Sequence, residues 1–211
     1  MRLCEPLKGW HSRGYHPHLD AAPVVQSVTF RLHDSVPAEL IERWRAELSV
    51  LTSVPDEGRP VCRTASSRSA ELQKCIEAYE DAGHGACWLR DARIAQIVEA
   101  VLLHHHGKHY RLLEWCVMPN HVHALIEVAP GHSLSDVVRV WKTFSSRQAN
   151  MLLGLKGRFW MADYFDRYVR DEHHLEAVRR YIRRNPVKAG LCESAEQWRW
   201  SSAWAPVEGS G

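Results

Sequence analysis

Two short spacings in this chain bring together side chains that could do chemistry. In His121-Val122-His123 the imidazoles stand two residues apart, and the period of a β-strand turns both to one face with Val122 on the other. Two neutral imidazoles on one face can chelate a divalent cation. Tyr181 and Asn185 stand four apart, which on a helix is one face. A phenol that gives up its proton to a partner, or in the field of a metal, becomes a nucleophile for phosphoryl transfer. An amide oxygen one turn away is a third ligand for that metal. Each pair alone has an ordinary explanation, because the chain has 14 histidines and because Tyr and Asn commonly stand at a core edge and a helix end. Together they supply what covalent cleavage of a phosphodiester needs. The donor set suits a six-coordinate ion with positions left for phosphate and water, although two imidazoles would also suit Zn²⁺.

The elements that must position these residues follow from periodicity. Tyr110 to Val117 and His121 to Val128 predict two strands joined by the turn formers Pro119 and Asn120, a hairpin. Asp171 caps a final helix from Glu172 to about Arg184, which is expected to stop at Asn185-Pro186 because proline disfavours helix in the residue before it. Upstream, Val24 to Leu32 reads as a strand, and Ser35 and Pro37 start a helix that ends near Thr52. Ser53 to Ser69 reads as a polar mobile loop within an insertion, followed by helices from Ala70 to Asp81 and from Asp91 to about His105. Ser133 caps a helix to about Leu153, and Phe159 to Val169 is expected to be extended. The aromatic, basic opening from Trp10 to His18 lacks a period and reads as an ordered arm or loop. Strands paired by hairpin beside helices on a sheet make the class α+β.

The 211 residues, 45% of them hydrophobic, suffice for one substantial core, so one domain with an insertion is expected. It divides into a helical insertion and scaffold over about 37–106 and catalytic strands with the tyrosine helix over 110–190. A net charge of +2, from 27 basic and 25 acidic residues, is too small to announce a nucleic-acid ligand. Locally, Arg179, Arg180, Arg183, Arg184 and Lys188 surround Tyr181 and could contact phosphates, although such a run is more often a solvated helix face. Trp160, Phe165 and the Trp10 arm could stack bases, but nine tryptophans are more often core. Six scattered cysteines without a C-x-x-C pair or a signal peptide lead us to expect reduced thiols in a cytoplasmic, nucleoid-associated protein with no membrane span. His104-His105-His106 reads as surface, since consecutive side chains on a helix end diverge. Tyr15, Tyr79, Tyr110, Tyr164 and Tyr168 lack an amide at ligand spacing and are read as packing or stacking.

Val117-Met118-Pro119-Asn120-His121-Val122-His123 and Arg179-Arg180-Tyr181-Ile182-Arg183-Arg184-Asn185-Pro186-Val187-Lys188-Ala189-Gly190-Leu191, in this order, strongly resemble the single-tyrosine HUH transposases, especially the REP-associated tyrosine transposase branch. The similarity runs from about Trp10 to Trp204 and takes in Thr29 to Leu32 and Trp198 to Ser202. It implies a central antiparallel sheet flanked by helices, with a helical insertion after the first strand. It also implies His121 and His123 as metal ligands, Asn185 as the ligand that the wider family fills with Asn or Gln, and Tyr181 as the nucleophile of a 5′-phosphotyrosine bond that leaves a free 3′-hydroxyl. The implied substrate is single-stranded DNA beside REP-like hairpins, the implied metal Mg²⁺ or Mn²⁺, and the protein a monomer or homodimer. The chain departs from the family in the Ser53 to Ser69 insertion and the long amino-terminal half. A hydrolytic metal nuclease, or a hairpin-binding regulator that has lost catalysis, are the alternatives.

Overall fold

A computed structural model describes residues 9–12, 17–20, 23–50 and 65–206. The predicted hairpin is present as β4 (Tyr110–Val117) and β5 (His121–Val128), counted after β1 (Gly9–Ser12), β2 (Pro17–Asp20) and β3 (Val25–Arg31). β5 pairs antiparallel with β4 on one side and with β3 on the other, and β6 (Phe165–Tyr168) adds to the far edge of β3. The register sets Thr29 opposite His123 and Arg31 opposite His121. The opening read as an arm or loop instead has β1 and β2 paired antiparallel, Gly9 opposite Asp20. Strands of four residues are too short to show a period, which is why the sequence hid them.

Alternation along the strands gives the sheet two apolar faces. Val122, Ala124 and Ile126 of β5 and Val28 and Phe30 of β3 pack with Ile94, Val98 and Leu102 of α3 (Ala92–His104) and Trp141 of α4 (Leu134–Leu153). On the opposite face Cys116, Met118 and Leu125 receive Ile182 of α5 (Glu172–Lys188), with Leu175, Val178 and Tyr181 alongside. The two helices from the first half, α1 (Ala38–Val50) and α2 (Ala65–Asp81), close a smaller cluster around Val36, Ile41, Leu72 and Ile76. The carboxy-terminal segment covers the outer edge of β4: the Val117 N–H donates to the Trp200 carbonyl at 2.8 Å and the Ser202 N–H to the Trp115 carbonyl at 2.9 Å.

The predicted caps hold at Ser133 and Asp171, whose side chains accept from Asp136 N and His174 N. Ser35 is not a cap. Its hydroxyl donates to the Leu32 carbonyl at 3.0 Å, and the Pro37 carbonyl accepts the first bonds of α1. α2 begins at Ala65, so residues 65–69 are helix where a loop was expected; the rest of that expected loop, 53–64, lies outside the described residues. α5 does not stop at Arg184 but runs through Pro186 to Lys188. Proline deprives the Ile182 carbonyl of one helical donor. Asn185 and Pro186 are both buried, and packing of this last turn offsets that loss.

Ile182 is 0% exposed and seats α5 on the sheet. Ile182→Ala is predicted to cost about 2–5 kcal/mol in chemical denaturation. A loss below about 1 kcal/mol would show that the helix is held elsewhere.

Candidate active site

The structure brings His121, His123, Tyr181 and Asn185 together. Both imidazoles are 1% exposed and lie on the α5 face of β5, with ring centroids 4.7 Å apart. Their protonation follows from their neighbours. Asn120 Nδ2 donates to the Glu80 carbonyl at 3.1 Å and to the His84 carbonyl at 2.9 Å, which leaves Asn120 Oδ1 to accept from His121 Nδ1–H at 2.7 Å. The Nε2 of His121 therefore carries a lone pair. His123 Nδ1 is bonded to Thr29 Oγ1 at 2.9 Å, and its Nε2 lies 3.0 Å from that of His121. Two cis ligands at about 2.1 Å from a six-coordinate ion are about 3.0 Å apart, so the pair could hold such an ion between them.

The turn that carries Asn120 is braced from a distance. Gly85, at φ +83, passes so near Asp34 that an added Cβ would lie 2.7 Å from the Asp34 carbonyl oxygen. Ala86 N–H donates to Asp34 Oδ2 at 2.7 Å, which fixes the loop whose His84 carbonyl receives Asn120.

Tyr181 meets His123 edge to face, with ring centroids 5.4 Å apart. Its hydroxyl and both amide atoms of Asn185 are buried and close no hydrogen bond. Such groups are costly unless a ligand engages them. Burial, and next the charge of Glu77, hold the Tyr181 phenol well above its ordinary pKa. Among the described residues no three His, Cys, Asp or Glu side chains close on a single point in this geometry, and an amide is a further type of donor that could stand beside the imidazoles. Asn185 offers one.

The sequence reading missed the carboxylates. Glu77, Glu80 and Asp81 on α2 share one helix face and turn toward the site, whereas α2 was read as scaffold. Glu80 is 2% exposed, and burial raises its pKa to about 8 against the pull of Arg31 3.5 Å away. It therefore keeps its proton at neutral pH. Asp81 Oδ1 lies 3.8 Å from His121 Nε2, and Asp81 Oδ2 pairs with Lys188 Nζ at 2.7 Å. The spacing of four between Glu77 and Asp81 was the one available signal.

The five basic residues of α5 divide. Arg183 makes a two-pronged pair with Glu114, at 2.5 and 3.1 Å, and Arg179 bonds Glu176 at 2.7 Å and approaches Glu114 at 3.9 Å. Glu114 faces α5 because β4 has a register irregularity between Leu112 and Glu114, which breaks the strict alternation. Lys188 is paired with Asp81, while Arg180 and Arg184 are exposed and make no ion pair with the described residues. Trp160 is core, its Nε1–H donating to Ser145 Oγ at 2.8 Å, and Phe165 is half-buried; the side chains of the Trp10 arm lie outside the described residues. Of the other tyrosines, Tyr110 bonds the Leu102 carbonyl in the core and Tyr79 stacks on His84, while Tyr15 lies outside the described residues. His104 and His106 are exposed, as a surface run predicts, and His105 is half-buried. Its ring stacks on His109 at 4.1 Å, and His109 stacks on His132 at 4.2 Å, because the turn after α3 folds back.

Cys75, Cys87, Cys116 and Cys192 are free thiols, and no helix among the described residues is long and apolar enough to cross a membrane.

Burial lowers the His123 pKa to about 3, with the Lys188 charge adding to it, and lowers that of His121 as well. Both imidazoles are neutral throughout the physiological range. In the unfolded chain they bind protons below about pH 6.5, so stability rises with pH up to that point and is lost as the pH falls from 6.5 toward 3. The melting temperature is predicted to fall steadily over that window in metal-free buffer. His123→Ala should flatten the slope; an unchanged slope would mean that other groups set it.

Comparison with known proteins adds the family. Residues 89–185 match the family model described as Transposase IS200 like, a span that contains His121, His123, Tyr181 and Asn185. No curated protein gives a significant match. Among solved structures, a REP-associated tyrosine transposase bound to a REP hairpin superposes with a TM-score of 0.53 at 14% identity, covering 95% of this chain and 92% of that one. A Deinococcus radiodurans protein, provisionally described as a transposase, is 16% identical over 83% of this chain and 96% of its own. Its TM-score of 0.35 carries no argument. The α+β architecture is shared with the hairpin-bound transposase, and residues 89–185 of the chain are similar to the IS200-like transposases.

Proposed function

We propose that this protein is a transposase, a metal-dependent strand transferase that cuts and rejoins single-stranded DNA beside REP-like hairpins through a 5′-phosphotyrosine intermediate, as in the REP-associated branch. The observation that carries the reading is the meeting of the Tyr181 ring with the paired imidazoles, at 5.4 Å from His123. Tyr181 Oη attacks the phosphorus, the bond from phosphorus to the preceding 3′-oxygen breaks, and that oxygen leaves as a 3′-hydroxyl after taking up a proton. The phenol loses its own proton as the new bond forms. A different 3′-hydroxyl, by the reverse reaction, joins the strand elsewhere and frees the tyrosine. A divalent cation, Mg²⁺ or Mn²⁺, at His121, His123 and Asn185 supplies polarisation of the phosphate and offsets charge in the transition state.

The chain's own residues set the conditions. Asn120 and Thr29 hold the ring orientations, and Ile182 fixes the helix that presents the phenol. Burial keeps water from the phosphotyrosine, which favours transfer over hydrolysis. Arg180 and Arg184 are the basic residues of α5 best placed to meet the DNA backbone, since Arg179, Arg183 and Lys188 are engaged with carboxylates.

The experiment is incubation with single-stranded hairpin DNA and Mn²⁺, followed by denaturing electrophoresis. Wild type is expected to give a covalent protein–DNA species, and Tyr181→Phe to lose it while binding DNA almost normally. Tyr164→Phe and Tyr168→Phe should keep it. Cleavage by wild type without an adduct would establish a hydrolytic nuclease, and binding without cleavage a regulator that has lost catalysis. Neutralising Arg180 and Arg184 together should lower the salt slope of DNA binding by about one to two units. An unchanged slope would make them only a solvated surface.

A further inference from the structure

Two imidazoles and an amide are three neutral ligands. Mg²⁺ and Mn²⁺ are hard cations that prefer oxygen, and Mg²⁺ is held in proteins through one or two carboxylates. A neutral set leaves the metal charge to be offset by the DNA phosphate alone, and a buried carboxylate oxygen beside the imidazoles would offset it in the absence of DNA as well. We infer that Asp81, at the end of α2, supplies that oxygen as a direct ligand of the metal at His121 and His123. The inference rests on the proposed function, and it adds a residue from the first-half helices to the catalytic centre.

The geometry singles out this carboxylate. Asp81 has a side chain 10% exposed. Its Oδ1 is buried and makes no hydrogen bond. That oxygen lies 3.8 Å from His121 Nε2, the nitrogen whose lone pair faces the site because Nδ1 is committed to Asn120. The other oxygen is held by the Lys188 ammonium at 2.7 Å, which orients the group as outer partners orient metal ligands generally. Lys188 sits one turn beyond Asn185 on the same helix, so one helix both offers the amide and braces the carboxylate. In the present geometry no trio of His, Cys, Asp or Glu closes on a single point. Cis ligands at about 3.0 Å require Asp81 to move inward by roughly 1 Å on binding. Neither glutamate of α2 is as well placed. The Glu80 carboxylate adjoins Arg31 on β3, and that of Glu77 is engaged by Gln73 at 3.1 Å.

The test uses the full-length protein and Mn²⁺ alone, with free Mn²⁺ followed by electron paramagnetic resonance and folding by circular dichroism. Asp81→Asn keeps the shape and is expected to weaken Mn²⁺ binding by roughly 10-fold or more. His123→Ala should weaken it as well. Lys188→Met, which removes the orienting ion pair but leaves the carboxylate, should weaken binding less than Asp81→Asn does; a purely structural role for Asp81 predicts equal losses in the two variants. Mn²⁺ binding by folded Asp81→Asn within twofold of wild type, with His123→Ala defective, would overturn the inference and leave the histidine centre standing. If His123→Ala also bound normally, the proposed metal centre itself would fall. Should Asp81→Asn not fold, the wild type labelled with carboxyl-¹³C aspartate decides: a ¹³C hyperfine coupling to bound Mn²⁺ is expected, and its absence overturns the assignment.

Discussion

The antiparallel pairing of β5 with β3 on one side and β4 on the other is the constraint on which the remaining geometry depends. Because side chains alternate along a strand, this pairing sends Val122, Ala124 and Ile126 into the larger core and turns His121, His123 and Leu125 toward α5. A slip of one residue would exchange the two sets, burying imidazoles among Ile94 and Trp141 and turning Val122, Ala124 and Ile126 to the helix that carries Tyr181. The large apolar cluster therefore fixes the register, and the register aims the imidazoles. Thr29, placed opposite His123 by the same pairing, is in position to orient its ring.

Stability and chemistry pull against each other where α5 meets the sheet. Ile182 and its neighbours bury the helix well, yet the same interface encloses the Tyr181 hydroxyl, the Asn185 amide and an Asp81 oxygen without hydrogen bonds. Unsatisfied buried polar groups typically cost about 1–3 kcal/mol each, so the fold tolerates a loss here that packing elsewhere must offset. The surrounding ion pairs show how. Glu114, aimed at α5 by the irregularity in β4, clamps Arg183 and takes a hydrogen bond from Ser202, tying together strand, helix and carboxy-terminal segment. Three of the five basic side chains on the helix hold it in place by such contacts, and two remain for a polyanion.

The helices of the first half reach the candidate site. α2 brings Asp81 to His121 and Glu77 to Tyr181, and Asn120 is received by the Glu80 and His84 carbonyls. The tautomer of His121 is thus set by backbone carbonyls from a separate helical cluster. That coupling ties the packing of Leu72 and Ile76 to the orientation of a ring on the central strand.

Much was legible in the sequence because it depended on local rules. The hairpin, its two bounds, the shared face of His121 and His123, the caps at Ser133 and Asp171 and the four-residue spacing of Tyr181 and Asn185 all follow from strand and helix periods and from turn chemistry. Four features did not. The short β1–β2 pair has no period to detect; the passage of α5 through Pro186 is decided by burial of its last turn; Glu114 faces α5 through an irregularity no local pattern announces; and Asp81 reaches His121 across forty positions of sequence. Local periodicity decides which way a side chain points from its own element. Which group lies opposite, and whether it is charged, is decided only when separate elements pack, because burial and partner geometry are properties of the assembled interior.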